Sequence, residues 1–127
     1  MTIQQADKIY YKGNLYLING LPLSKYLKEN NVQPFQWPTT ACWRGYVGTW
    51  EIRNNELFLI ELRAWVDRFK EVGLDYLFPG QTEVKVTWFT GDLIIRGLKY
   101  EFSDNYYDKA MYEKDIVLKI ENGNVIN

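Results

Sequence analysis

From Arg44 to Arg53 the chain alternates with period two, Asn54-Asn55 interrupts, and Glu56 to Arg63 resumes with Leu57, Phe58, Leu59, Ile60 and Leu62. Successive strand residues point to opposite faces, so a hairpin satisfies this pattern and a helix does not. Asparagine tolerates the positive φ of a tight turn, which gives the interruption its meaning. One face of the first strand collects Arg44, Tyr46, Gly48, Trp50 and Ile52, and the other collects Gly45, Val47, Thr49, Glu51 and Arg53. Core-building rings and a candidate ligand-contacting arginine thus share one strand. Gly45 and Gly48 do not follow phosphate-loop spacing and are read as marks of strand bending or close packing beneath Trp50.

The same reasoning extends along the chain. Lys8-Ile9-Tyr10-Tyr11 and Leu15-Tyr16-Leu17-Ile18 flank Lys12-Gly13-Asn14 as a second hairpin, and Asn122-Gly123 predicts a third, with Val125-Ile126 folding back on a strand within Met111 to Ile120. Leu23, Tyr26 and Leu27 recur at helical spacing after Pro22, so a short helix is expected, ended by Asn30-Asn31. Pro34 and Pro38 make the next stretch an extended connector pinned by Phe35 and Trp37. Trp65, Val66, Phe69, Val72 and Leu74 predict a second helix within Ala64 to Tyr76, and Glu83 to Phe89 predicts a strand, followed by Leu93-Ile94-Ile95. The expected fold is mainly β (α+β): one domain over 1–127, an antiparallel curled sheet forming a partial barrel or sandwich with one or two short helices.

Composition narrows function by exclusion. Histidine is absent and Cys42 is the lone cysteine, so histidine-based triads and tetrahedral cysteine/histidine zinc sites cannot be assembled. Lysine plus arginine total 15 against 16 acidic residues, a balance that supplies no field for a nucleic acid. No apolar run approaches the roughly 18 residues of a membrane span, and Met1 to Lys8 lacks an export signal. A cytoplasmic protein with no nucleic-acid or membrane partner is the expectation, and no cofactor is implied.

The segments Trp43-Arg44-Gly45-Tyr46 with Trp50-Glu51-Ile52, Leu57-Phe58-Leu59, Leu77-Phe78-Pro79-Gly80, Trp88-Phe89-Thr90-Gly91 and Tyr112-Glu113-Lys114-Asp115 resemble those of a family of small uncharacterised bacterial proteins. The resemblance implies a compact β-rich fold and brings no catalytic residue with it. This chain departs from the family at Gly97 to Ala110, where the family is richer in glycine and carries histidine.

Two functional readings follow, neither catalytic. In the first, Trp43, Tyr46, Trp50 and Trp88 form an aromatic box for a planar ligand while Arg44 or Arg96 grips a phosphate or carboxylate, so that the protein sequesters a small anionic or nucleotide-like ligand. The competing structural account makes Tyr46, Trp50 and Trp88 core and has the arginines cap strand ends through surface ion pairs. In the second, the run Asp104-Asn105-Tyr106-Tyr107-Asp108 is a contact surface for a protein partner, as in an immunity or inhibitor protein. The candidate ligand-binding set is Trp43, Arg44, Tyr46, Trp88, Arg96, Tyr106 and Tyr107. Glu51, Glu61, Asp92, Glu113 and Asp115 are the carboxylates from which an acid/base pair or cation site would have to come. Aromatic edge strands could also pair with a second copy.

Overall fold

Three two-residue turns set the hairpins. Lys12 and Gly13, Asn54 and Asn55, and Asn122 and Gly123 all have positive φ, the conformation that a type I′ turn demands of both central residues. The computed structural model describes residues 6–19, 22–32, 35–36, 44–66, 70–96 and 115–127. The first turn joins β1 (Asp7–Tyr11) to β2 (Asn14–Asn19), the second joins β3 (Tyr46–Arg53) to β4 (Glu56–Trp65), and the third links β8 (Ile116–Glu121) to β9 (Asn124–Val125). Between them lie α1 (Pro22–Glu29), β5 (Glu71–Val72), α2 (Leu74–Leu77), β6 (Val84–Lys85) and β7 (Gly91–Ile95).

Neighbouring strands follow the order β3-β1-β2-β7-β8-β9-β4, and β4 pairs back onto β3, so seven strands close into a barrel-like sheet. The fold is mainly β with two helices among the described residues, as the alternation predicts. One pairing departs from the antiparallel expectation: β1 runs parallel to β3, with Ile9 beside Trp50. Local turn chemistry cannot reveal this contact, which joins strands far apart in sequence. The closing seam is thin: β9 meets β4 at Glu56 and Asn124, reinforced by Leu57 N–H to Gly123 C=O and Val125 N–H to Asn55 C=O.

The interior is filled by side chains. Ile9, Trp50, Leu57, Leu59, Leu93 and Ile95 are fully buried, and each contributes roughly 1.5–3 kcal/mol relative to exposure. In β4 the buried set is Leu57 and Leu59, then Leu62 and Ala64, a phase slip caused by a bulge where Thr49 opposes Glu61 but Trp50 opposes Leu59. Without that extra residue the second half of the strand would turn its apolar side to water. Helix α1 packs Leu23 into the core, and Asn31 takes positive φ just beyond its end.

Two expectations need correction. The helix expected within Ala64 to Tyr76 is not formed as such: Ala64 and Trp65 belong to β4 and pair with Val72 and Glu71, and among the described residues of this stretch only residues 74–76, the start of α2, are helical. Ala64 is fully buried opposite Tyr46, so burial in the barrel overrides a helical spacing that charged neighbours only weakly specify. The strand expected over Glu83 to Phe89 is confined to Val84–Lys85. Its continuation is held by single bonds, Val86 N–H to Leu57 C=O and Gly123 N–H to Phe89 C=O. Among the described residues no helix is long and apolar enough to cross a membrane.

Candidate functional site

Asp7 has the same strand parity as Ile9, so its carboxylate turns inward and is fully buried. A buried carboxylate is tolerable only when paired and hydrogen-bonded, and here three donors meet it. Gly48 N–H donates to Oδ1 at 3.0 Å, the Trp50 indole Nε1–H donates to Oδ2 at 3.0 Å, and Arg44 Nη2 donates to Oδ1 at 2.6 Å. Glycine is needed at position 48 because a Cβ there would lie 2.9 Å from Trp50 Nε1 and 3.3 Å from Asp7 Oδ2. The sequence reading of Gly48 as a close-packing site under Trp50 thus has a specific cause. Asp7 itself escaped that reading, although its parity with Ile9 was the available signal.

Arg44 precedes β3 and stays 17% exposed along its side chain, with its guanidinium carbon 5.1 Å from the centre of the Tyr46 ring. Tyr46 is almost wholly buried, and its hydroxyl lies 2.5 Å from Ser24 Oγ on α1. From Tyr46 a run of edge-to-face rings passes through Phe35 to Tyr76, each step 6.1 Å between centres, and ends at the surface, where Tyr76 is 48% exposed. The connector carrying Phe35 is locked against Gly45, where a Cβ would sit 2.2 Å from the Phe35 carbonyl carbon. Gln36 N–H to Trp65 C=O fixes it further.

The candidate residues fall into separate places. Arg44 and Tyr46 are brought together as expected. Trp88 is half-buried, donates its indole N–H to Pro22 C=O at 2.8 Å, and packs on Tyr26 and Phe78. Both Trp88 and Tyr46 reach α1, at Pro22 and Ser24; of the expected box of Trp43, Tyr46, Trp50 and Trp88, Trp50 is interior and Tyr46 nearly so, and Trp43 lies outside the described residues. Arg96 follows the buried Ile95, points outward, and reaches Asn19 Oδ1 at 3.5 Å. The two arginines have different partners among the described residues, Asp7 for Arg44 and Asn19 for Arg96. Trp43, Tyr106 and Tyr107 lie outside the described residues.

The carboxylates are similarly dispersed. Glu61, Asp92 and Asp115 are exposed, Glu113 lies outside the described residues, and Glu51 holds Arg53. Arg53 also takes both oxygens of Glu83 and lies over the Phe58 ring. Hydrogen bonding to Arg53 holds the Glu83 carboxyl below its ordinary range, and the bonds from Glu83 and Glu51 push Arg53 further up. Among the described residues no three acidic, cysteine or histidine side chains converge as metal ligands would. No protein-family model, curated protein or solved structure matches this chain.

Proposed function

We propose that this chain is a non-enzymatic binding protein that holds a small anionic or nucleotide-like ligand at the end of the barrel where Arg44 sits. The reading rests on Arg44: a buried carboxylate and an aromatic ring hold its guanidinium in one orientation while part of the side chain stays open to water. A preorganised guanidinium loses little entropy when it meets a phosphate or carboxylate. The filled interior directs recognition to the rim and outer surface, and exposed Tyr76 supplies a ring on the aromatic run that begins at Tyr46.

The test is thermal unfolding against a panel of nucleotides and small anions, with Arg44→Lys as the comparison. A ligand at ten times its Kd stabilises by about 1.4 kcal/mol, or roughly 3–8 °C in Tm for a domain of this size. Arg44→Lys keeps a cation for Asp7 but loses the planar fork, so it should fold and lose the response. No shift from any member at millimolar concentration would refute the reading. That outcome would favour the alternative of a protein-interaction module, for which exposed Tyr10 and Tyr76 are the supporting observation.

A further inference from the structure

Asn122 and Gly123 form the turn between β8 and β9, and Asn-Gly is also among the dipeptides that lose ammonia most readily. In that reaction the Gly123 nitrogen gives up its proton and attacks Asn122 Cγ. The N–Cγ bond forms, the Cγ–Nδ2 bond breaks, and ammonia leaves with the proton. Water then opens the five-membered succinimide at either carbonyl. One product is aspartate; the other is isoaspartate, in which the main chain runs through the former side chain. Glycine favours the step because no Cβ shields its nitrogen.

The fold opposes this step at each of its requirements. Asn122 is exposed, but Gly123 is buried and its N–H donates to Phe89 C=O at 2.9 Å, which engages the nucleophile. The electrophile is turned away. With φ at +50, Asn122 sits in the left-handed region, where ψ is about +30 to +60. There its Cβ lies nearly opposite the Gly123 nitrogen across the Cα–C bond, whereas ring closure needs the two eclipsed. Rotation toward that arrangement is resisted on both sides of the bond. Asn122 N–H donates to Thr90 Oγ1 at 3.0 Å, and Gly123 C=O accepts from Leu57 N–H at 2.9 Å. Gly123 Cα is also pressed so close to Val86 that a Cβ would lie 1.6 Å from its carbonyl oxygen. These partners belong to β4 and to the segment that follows β6, so the turn rotates only by leaving them, which opens the seam between β9 and β4.

We propose that Asn122 is a deamidation site gated by this seam: protected while the barrel is closed, reactive when the turn lifts off, and one-way because the isoaspartyl product does not close the seam again. The added main-chain carbon lengthens the turn between Glu121 and Asn124, which pair directly, and carries Val125 N–H away from Asn55 C=O, its partner at 2.8 Å. The aspartyl product keeps the chain length and a side chain suited to the same turn, so it closes. The site thus converts time spent with the seam open into a permanent change of the chain.

Mass spectrometry of the tryptic peptide that begins at Ile120 follows the reaction during incubation of the full chain in mildly alkaline buffer. Asn122 should deamidate at least about 100-fold more slowly in native buffer than in urea. In urea Asn19-Gly20, the chain's other Asn-Gly pair, supplies the reference rate of an open chain. Thr90→Val removes the Oγ1 acceptor and should raise the native rate several-fold, in step with faster hydrogen exchange of the Gly123 amide, while the urea rate stays the same. A chain deamidated in urea and returned to buffer should separate into two forms. The aspartyl form should match Asn122→Asp in Tm, and the isoaspartyl form should melt lower with its Leu57 and Val125 amides unprotected. A smaller gap between native and urea rates overturns the gate, whether or not Thr90→Val folds. An isoaspartyl form with the Tm and amide protection of the unmodified chain overturns the one-way step.

Discussion

Asp7→Ala removes an acceptor shared by two buried donors, Gly48 N–H and Trp50 Nε1–H, and one part-buried donor, Arg44. The Arg44 guanidinium would keep its charge, largely out of water, with its 2.6 Å partner gone. Gly48 N–H and Trp50 Nε1–H would each lose a 3.0 Å bond inside the core. Breaking a buried ion pair from one side costs about 3–5 kcal/mol, and an unsatisfied neutral donor about 1–3. These losses overlap because one small relaxation can serve all three groups, so the combined cost should be about 4–6 kcal/mol. A domain of this size holds roughly 5–15 kcal/mol in total, so the variant should unfold at a much lower denaturant concentration or not fold at 37 °C. Urea unfolding followed by tryptophan fluorescence reads this directly. The diagnostic comparison is Asp7→Ala with Arg44→Met: if the damage is mainly a stranded cation, the double variant should be more stable than Asp7→Ala by about 2 kcal/mol. A single-variant cost below about 1 kcal/mol, or strictly additive losses in the pair, would refute the account of Asp7 as the anchor of the barrel end.

Three glycines should separate by cause. Gly123→Ala places a Cβ 1.6 Å from the Val86 carbonyl oxygen at a φ of +83 and should cost more than about 4 kcal/mol. Gly48→Ala presses on Trp50 and should cost about 1–3, whereas Gly13→Ala, with nothing within 4 Å of its Cβ, should cost only about 1 from its positive φ. Equal urea midpoints for the three would contradict this ranking. Glu83, whose pKa is lowered by Arg53, binds its proton less readily folded than unfolded. Its contribution is therefore present above the ordinary glutamate range, about 4, and is lost as pH falls from there through the lower folded value. Glu83→Gln should flatten the acid limb of stability in that window, and an unchanged limb would show the pair to be inert.

Where the fold follows from neighbours in sequence, the chain is legible. Lys12-Gly13, Asn54-Asn55 and Asn122-Gly123 carry their turn geometry in their own side chains, and the alternation around them places Ile9, Tyr46, Trp50 and Leu118 inward before any strand is paired. Where the fold depends on who lies opposite, it is not. Ala64 is strand because Tyr46 and Val72 flank it, and the apolar run Leu57 to Ile60 does not announce the bulge that reverses its phase. The site divides the same way. Arg44, just before β3, and Tyr46 within it do meet, but what the inward Asp7 carboxylate faces, and so where Arg44 points, depends on a parallel pairing of β1 with β3 between distant strands.

That division bears on what the aromatic residues are for. A small barrel closes around whatever its strands point inward, and here Trp50, Tyr46 and Tyr16 occupy that space. The indole N–H and phenol O–H of such rings need partners once enclosed, and two of the observed partners explain polar residues that would otherwise be anomalous. Asp7 takes the Trp50 N–H, and Ser24 on α1 meets the Tyr46 hydroxyl. Among the described residues, Trp50, Tyr46 and Tyr16 are thus committed to filling the barrel, and Asp7 and Ser24 to satisfying two of these rings. Arg44 lies at one end of that packing, held by the same carboxylate that serves Trp50, so the group on which the proposed recognition rests is placed by the polar contacts that close the core.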